Sequence, residues 1–186
     1  MSIITDVRTI RLKQFPNSIW VEIETDENLT GLGEAWRGTA AIETIIHHDI
    51  CPWLIGQDSR NIELISRTLL TPYVGFHSAS AEVRAASAID IALWDLAGKR
   101  HGIPVYEALG GASRTSIQVY NTCSGYSFNA SSSAYNSGTS RRIITEKDEM
   151  HGPYDDQVAF SRDAGALAKS LLNEGYRIMK IWPFDP

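Results

Sequence analysis

The stretch AASAIDIALWDLAGKRHGIPVYEALGG, Ala85 to Gly111, decides how the rest of this chain is read. Ala85, Ile89, Ala92, Leu93, Leu96 and Ala97 recur at helical spacing. Ile91 and Trp94 fill much of the remaining circumference, so the helix is expected to be buried on more than one side. Ser80 is in place to cap its start, with Glu82 in the first turn where the helix dipole favours an anion. Asp95 and Lys99 stand four apart in the favourable order. Lys99, Arg100 and His101 crowd the last turn, Gly102 suits a left-handed cap, and Pro104 forbids continuation. A helix over 81–101 is roughly 30 Å long at 1.5 Å per residue. A short second helix follows the proline.

Towards the N-terminus the pattern becomes strand-like. Residues 3–12 read as a first strand. In 18–25, Ile19, Val21 and Ile23 alternate with Trp20, Glu22 and Glu24. Turns fall at Gln14–Asn17 and Asp26–Asn28, and 29–35 gives a short third strand. Gly31 and Gly33 imply a bulge or a close backbone approach. The three segments are expected to form an antiparallel meander with one face covered. From Thr39 the period is helical. Ile42, Ile45 and Ile46 share a face of a helix expected to end near Pro52, and a second helix over 59–70 turns Ile62, Ile65 and Leu69 inward. A sheet followed by a helical bundle is an α+β arrangement.

Beyond Gly111, residues 116–122 read as a strand, 158–173 as a helix and 176–182 as another strand. They are expected to form a βαβ unit, pairing in parallel through a right-handed crossover. The polar stretch 124–157 is read either as a lid or as a disordered segment.

Composition narrows the function classes. The chain has 186 residues, is 43% hydrophobic and 21% charged, and carries a formal net charge of -5, which disfavours nucleic acid as the main partner. No apolar run approaches the ~20 residues needed to span a bilayer, and the start does not read as a signal peptide. The cytoplasm is the expected location, without a membrane partner. Cys51 and Cys123 sit in no metal-ligand spacing and read as buried thiols.

Ala88-Ile89-Asp90, Ala92 to Leu96, Gly98-Lys99, Pro104 and Leu109-Gly110 together resemble the signature of the mandelate racemase and muconate lactonizing enzyme family of the enolase superfamily. Ala108 departs from that pattern, as a packing detail. The meander ending in Gly33-Glu34 and the strand at Ile117–Tyr120 fit the same resemblance. It implies an α+β capping domain over residues 1–113, and over 114–186 the first βαβ unit of an incomplete (β/α) barrel. The family's metal ligands are carboxylates on later barrel strands, which are not in this sequence. The expectation is therefore an N-terminal fragment of a longer enzyme, with Mg2+ in the full-length protein and no metal ligand or cofactor here.

The same resemblance implies site residues. The family commonly ends its second barrel strand with lysine, any residue, lysine. Here the segment is Lys180-Ile181-Trp182, so the first lysine is matched and the second replaced. Lys180 is thus the candidate catalytic residue, a cation beside the substrate carboxylate; the plain alternative is a surface lysine at a strand end. Tryptophan is no base, and a racemase needs one on each face of its substrate, so dehydration of a sugar acid is favoured over racemisation or cycloisomerisation. Cap loops set specificity in the family, which makes Phe15, Asn17, Trp36, Arg37 and His77 candidate substrate-binding residues, with Trp182 from the barrel side. Each has an alternative as a surface or interface side chain. A small-molecule sugar acid is the implied partner, with a homo-oligomer when full length. The competing reading is a non-catalytic cap or oligomerisation fragment. His47-His48, adjacent on a helix, read as surface residues. Asp155-Asp156 read as a helix cap, Asp90 and Asp95 as polar anchors that need partners, and Gly31-Leu32-Gly33 lacks the third glycine of a dinucleotide loop.

Overall fold

The computed structural model describes residues 1–71, 80–125, 149 and 155–181. The chain divides into two compact units, Met1–Ser113 and Arg114–Pro186.

The first unit opens with a three-stranded antiparallel sheet in the order β1-β2-β3: β1 Ile4–Ile10, β2 Ser18–Thr25, β3 Thr30–Trp36. Alternation fixes its faces. Ile19, Val21 and Ile23 of β2 and Val7 of β1 are buried, as are Gly31, Gly33 and Ala35 of β3. The opposite face carries Arg8, Trp20, Glu22, Leu32, Glu34 and Trp36. A register shift between Ile4 and Asp6 marks an irregularity in β1.

Helix α1, Thr39–Thr44, runs into a π-helical turn, Ile45–Ile50, and then into α2, Cys51–Leu54. The helical path therefore ends at Leu54, two residues past Pro52, near where it was expected to end. In the wide turn the Cys51 N–H bonds the Ile46 carbonyl, and Pro52 falls in the first turn of α2, where its missing N–H is not needed. Helix α3 is Ile62–Leu70, with Ile65 and Leu69 buried.

Helix α4, Ala81–His101, is the spine of the unit. Ala85, Ala88, Ile89, Ala92, Leu93 and Leu96 are buried. They pack on a strand face made of small residues. A Cβ added at Gly31 would lie 2.1 Å from the Ala92 carbonyl oxygen, and one at Gly33 1.9 Å from that of Ala88. Both glycines thus serve a close approach of helix backbone to strand. Gly102 takes the left-handed cap, φ 66°, and Pro104 leads into α5, Val105–Ala108. Ser80 occupies the N-cap position but makes no capping bond; its hydroxyl goes to Glu82 instead. The expectation of burial on several sides fails at Ile91, which is 48% exposed. The sheet, α1 and α3 cover α4 on more than one side, but around Ile91 the helix stays open, where Ile91, Trp94, Leu32, Val105 and Leu109 line a groove of about 590 Å³.

Polar side chains tie the elements together. Asp90 accepts from the Ser66 hydroxyl. Asp95 Oδ2 accepts from the Leu32 N–H at 2.8 Å, and Lys99 Nζ, 2.7 Å from the same carboxylate, donates to the Thr30 carbonyl at 2.7 Å. Arg100 donates to Ser2 Oγ, Ser59 Oγ and Glu27, which joins the N-terminus to the end of α4.

The second unit holds α6, Asp156–Asn173, which buries Val158, Phe160, Leu167 and Leu171. The helix is not continuous, as its periodicity suggests, but kinks at Asp163, whose carboxylate accepts from the Ala166 N–H at 2.9 Å. Asp163 acts there as a local cap that restarts the helix. Asp155 precedes α6 without a capping bond. The segments 116–122 and 176–182, expected as paired strands, meet among the described residues at one parallel bridge between Asn121 and Met179. The Asn121 N–H donates to the Ile178 carbonyl at 3.1 Å, and the Lys180 N–H donates to the Asn121 carbonyl at 2.8 Å. Ile117, Val119, Tyr120 and Ile178 are exposed there, whereas Tyr176, Met179 and Ile181 lie partly covered against Cys123, Phe160, Leu167 and Leu171, and among the described residues the pairing stays at that one bridge. No helix among the described residues is long and apolar enough to cross a membrane.

Candidate functional site

One corner of the sheet gathers four of the candidate residues. Ser18 at the start of β2 pairs with Trp36 at the end of β3, so the loop before one strand and the turn after the other meet. The loop is closed by tight turns, Phe15 N–H to the Leu12 carbonyl and Ser18 N–H to that of Phe15, both at 3.0 Å. The Arg37 N–H then donates to the Asn17 carbonyl at 2.7 Å, extending the ladder one step past the strand. The Thr39 hydroxyl reaches the Pro16 carbonyl at 3.4 Å.

The side chains at this corner differ in exposure. Phe15 is 55% exposed and sets its ring edge-on against Trp20, centroids 6.2 Å apart. Trp36 is 44% exposed, whereas Asn17 is buried. The Arg37 guanidinium lies over the Trp36 ring, 4.5 Å from its centroid, a cation–π stack. Such a stack uses the face of the guanidinium, while its fork of N–H donors suits a carboxylate or a pair of hydroxyls. Chemically, the corner combines apolar ring faces with a fixed cation.

Arg84 was passed over in the sequence. From the first turn of α4 its Nη1 donates to the Arg37 carbonyl at 3.1 Å. A lone arginine at a helix start carries no signal that separates it from a solvated one.

Lys180 belongs to the second unit. It is exposed, and its backbone N–H forms part of the Asn121–Met179 bridge. Beside it, Cys123 is fully buried in a left-handed conformation, φ 49°, and its N–H donates to Asn121 Oδ1 at 2.7 Å. Burial pushes the Cys123 thiol above its ordinary range, and the nearby Asp156 charge adds to this. Burial likewise raises the Asp156 carboxyl, against a hydrogen bond from the Asn121 side chain that lowers it. His77 and Trp182 lie outside the described residues. Among the described residues no three His, Cys, Asp or Glu side chains are grouped to hold a metal ion.

Comparison with known proteins gives this arrangement its relatives. The chain is 36% identical over 126 residues to a D-mannonate dehydratase of Rhizorhabdus wittichii, covering 66% of this chain and 31% of the relative. It is 39% identical over 124 residues to a D-galactonate dehydratase of Pectobacterium atrosepticum, again covering 66% of this chain and 31% of the relative. The chain thus spans about a third of the length of these curated relatives. Among solved structures, an enolase protein from the Sargasso Sea environmental genome sequencing is 49% identical, with a TM-score of 0.76 over 100% of this chain and 41% of that one. An enolase from Pantoea ananatis, crystallised with D-gluconate and Mg, is 29% identical, with a TM-score of 0.67 over 98% of this chain and 37% of that one. The model of the mandelate racemase / muconate lactonizing enzyme N-terminal domain matches residues 7–110. With the meander, the α4 spine and that match in agreement, the chain belongs to the mandelate racemase / muconate lactonizing enzyme family, within the enolase superfamily.

Proposed function

We propose that this chain is the N-terminal part of a magnesium-dependent enolase-superfamily enzyme that dehydrates a sugar acid. The observation that carries the proposal is the meeting of Phe15, Asn17, Trp36 and Arg37 at one corner, from the loop before β2 and the turn after β3. The dehydratase names of the relatives support the reaction class. In this reading residues 1–113 are the capping domain and 114–186 begin a (β/α) barrel. The parallel Asn121–Met179 bridge and the intervening α6 support that beginning. The assembled enzyme is a cytoplasmic homo-oligomer.

The chemistry is a proton abstraction next to a carboxylate. The proton leaves the α-carbon, its electrons pass into an enediolate, and the β-hydroxyl departs as water once protonated. Lys180 neutralises the substrate carboxylate, where a cation matters most as negative charge grows. Phe15, Asn17, Trp36 and Arg37 are assigned to substrate binding on the strength of their common corner, and His77 and Trp182 by the family resemblance alone. By the family resemblance the metal's ligands are carboxylates of later barrel strands, where Mg2+ would supply positive charge when bound.

A longer protein that carries this chain, incubated with D-galactonate and D-mannonate in turn, is expected to release a 2-keto-3-deoxy acid from one of them. Lys180→Ala is expected to lower kcat by about 10²-fold. Deuterium wash-in from solvent at both faces of the α-carbon, without loss of water, would establish a racemase instead. The 186-residue chain alone is expected to turn over neither acid. Stoichiometric, micromolar magnesium binding to it by calorimetry would overturn the assignment of the metal to other segments.

A further inference from the structure

We propose that the start of α6 and the loop 121–125 hold a monovalent alkali cation, with the Gln157 side-chain oxygen and the Asp155 carboxylate among its ligands. The site lies within the second unit and stands apart from the dehydratase reading. A buried acceptor points to it. Gln157 is 9% exposed, and among the described residues its Oε1 is buried with no hydrogen-bond partner. A buried acceptor without a donor costs the fold the full desolvation of that oxygen, so a group that satisfies it is called for.

Gly125 faces that oxygen. A Cβ built on Gly125 would stand 2.5 Å from Gln157 Oε1 and 3.2 Å from Asp155 Oδ1. A residue without a side chain at 125 thus lets two acceptor oxygens from the start of α6 close in on one spot of the loop. Asp155 is 4% exposed and has other contacts as well. The loop is pinned opposite, where the Cys123 N–H donates to Asn121 Oδ1 at 2.7 Å. Amide and ionised carboxylate oxygens only accept, so what joins them must bring protons or positive charge. The surroundings favour charge. Burial raises the Asp156 carboxyl, and the charges of Glu174 and Asp155 raise it further, against a hydrogen bond from the Asn121 side chain. The positive end of the helix dipole, about half a charge, does not offset these carboxylates. Ligands that are all oxygen select a hard ion. Among the described residues no three acidic, histidine or cysteine side chains are grouped, which suits a single positive charge.

Amide exchange of the 186-residue chain, read by NMR in KCl, NaCl and choline chloride of equal ionic strength, tests the site. An ion at about ten times its Kd slows the amides that must open to release it about tenfold. The amides of 156–173 are therefore expected to exchange about tenfold more slowly in KCl, NaCl or both than in choline chloride, while those of 81–101 keep one rate. Q157E, which adds a charge to the ligand set, is expected to widen the gap. Q157L and G125A are expected to close it. Equal rates over 156–173 in all three salts would overturn the proposal, because a neutral water, or the Gln157 amide turned so that Nε2 donates to Asp155, then accounts for the oxygen. A slowing shared by 81–101 is a general salt effect and overturns it as well. So does a gap that survives both Q157L and G125A, since the ion then binds elsewhere. Should Q157L fail to fold, G125A carries the comparison, as Gly125 does not stand at a left-handed φ.

Discussion

At the scale of single residues, glycine positions carry the most weight. Gly33 faces α4 at a distance where a Cβ would sit 1.9 Å from the Ala88 carbonyl oxygen, and that oxygen belongs to helix backbone with no rotamer to give way. Gly33→Ala is therefore expected to cost about 3 kcal/mol, at the upper end of overpacking penalties, because strand or helix must move as a body. Urea unfolding with an unchanged slope and a lowered midpoint checks this; a midpoint within error of the parent would mean that the strand yields easily. Gly38 has no heavy atom within 4 Å of a built Cβ, so its demand is purely conformational. Cys51 shows how burial governs chemistry at the same scale. Its thiol is pushed up to about 11, by desolvation first and by the Asp6 charge second, so it remains a neutral core group at physiological pH.

At the scale of elements, the open edge of the sheet is closed by α4. β3 is an edge strand, and its outward N–H and C=O groups at Leu32 and Thr30 are met by Asp95 and Lys99 rather than by another strand. One ion pair thus blocks both backbone groups, a device against edge-to-edge pairing. Asp95→Ala is expected to speed exchange of the Leu32 amide about tenfold, the loss of roughly 1.4 kcal/mol of hydrogen bonding, with amides at the centre of α4 unaffected. Exchange read by NMR tests it, and an unchanged Leu32 rate would mean that the carboxylate is a bystander. This edge contact explains what was legible in the sequence and what was not. The i,i+4 spacing of Asp95 and Lys99 was plain, but their partners lie more than sixty residues away on β3 and no local pattern names them. Helix α4 itself was legible because period, left-handed glycine and proline all agree locally. The end of the first helical path near Pro52 was legible too, but the π turn over Ile45–Ile50 was not, because no local pattern marks a one-residue shift in hydrogen bonding. Among the candidate site residues, Phe15, Asn17, Trp36 and Arg37 could be proposed from resemblance, but their meeting follows from the Ser18–Trp36 register, which only folding decides.

At the scale of the whole molecule, the two units differ in what holds them. The first has a continuous core of Ile19, Ile23, Ile42, Ile46, Leu54, Ile65, Ile89, Leu93 and Leu96, each fully buried or nearly so, and each such side chain contributes about 1.5–3 kcal/mol. Among the described residues the second gathers Cys123, Phe160, Leu167 and Leu171, with Tyr176, Met179 and Ile181 only partly covered. Its helix is broken at Asp163, and its segments 116–122 and 176–182 share one bridge instead of a ladder. Opening free energies in a protein range from near zero to the global value, and sparse burial with few backbone partners marks the low end. α6 is therefore expected to exchange its amides by a sub-global opening, in milder urea than those of α4 and with a smaller denaturant slope, since less surface is exposed when it opens. Native-state hydrogen exchange at increasing urea, read separately over 156–173 and 81–101, measures both quantities. If the two helices lose protection together, along one steep isotherm, the units unfold as one cooperative body, and the smaller cluster of Phe160, Leu167 and Leu171 is holding far more than its buried area implies.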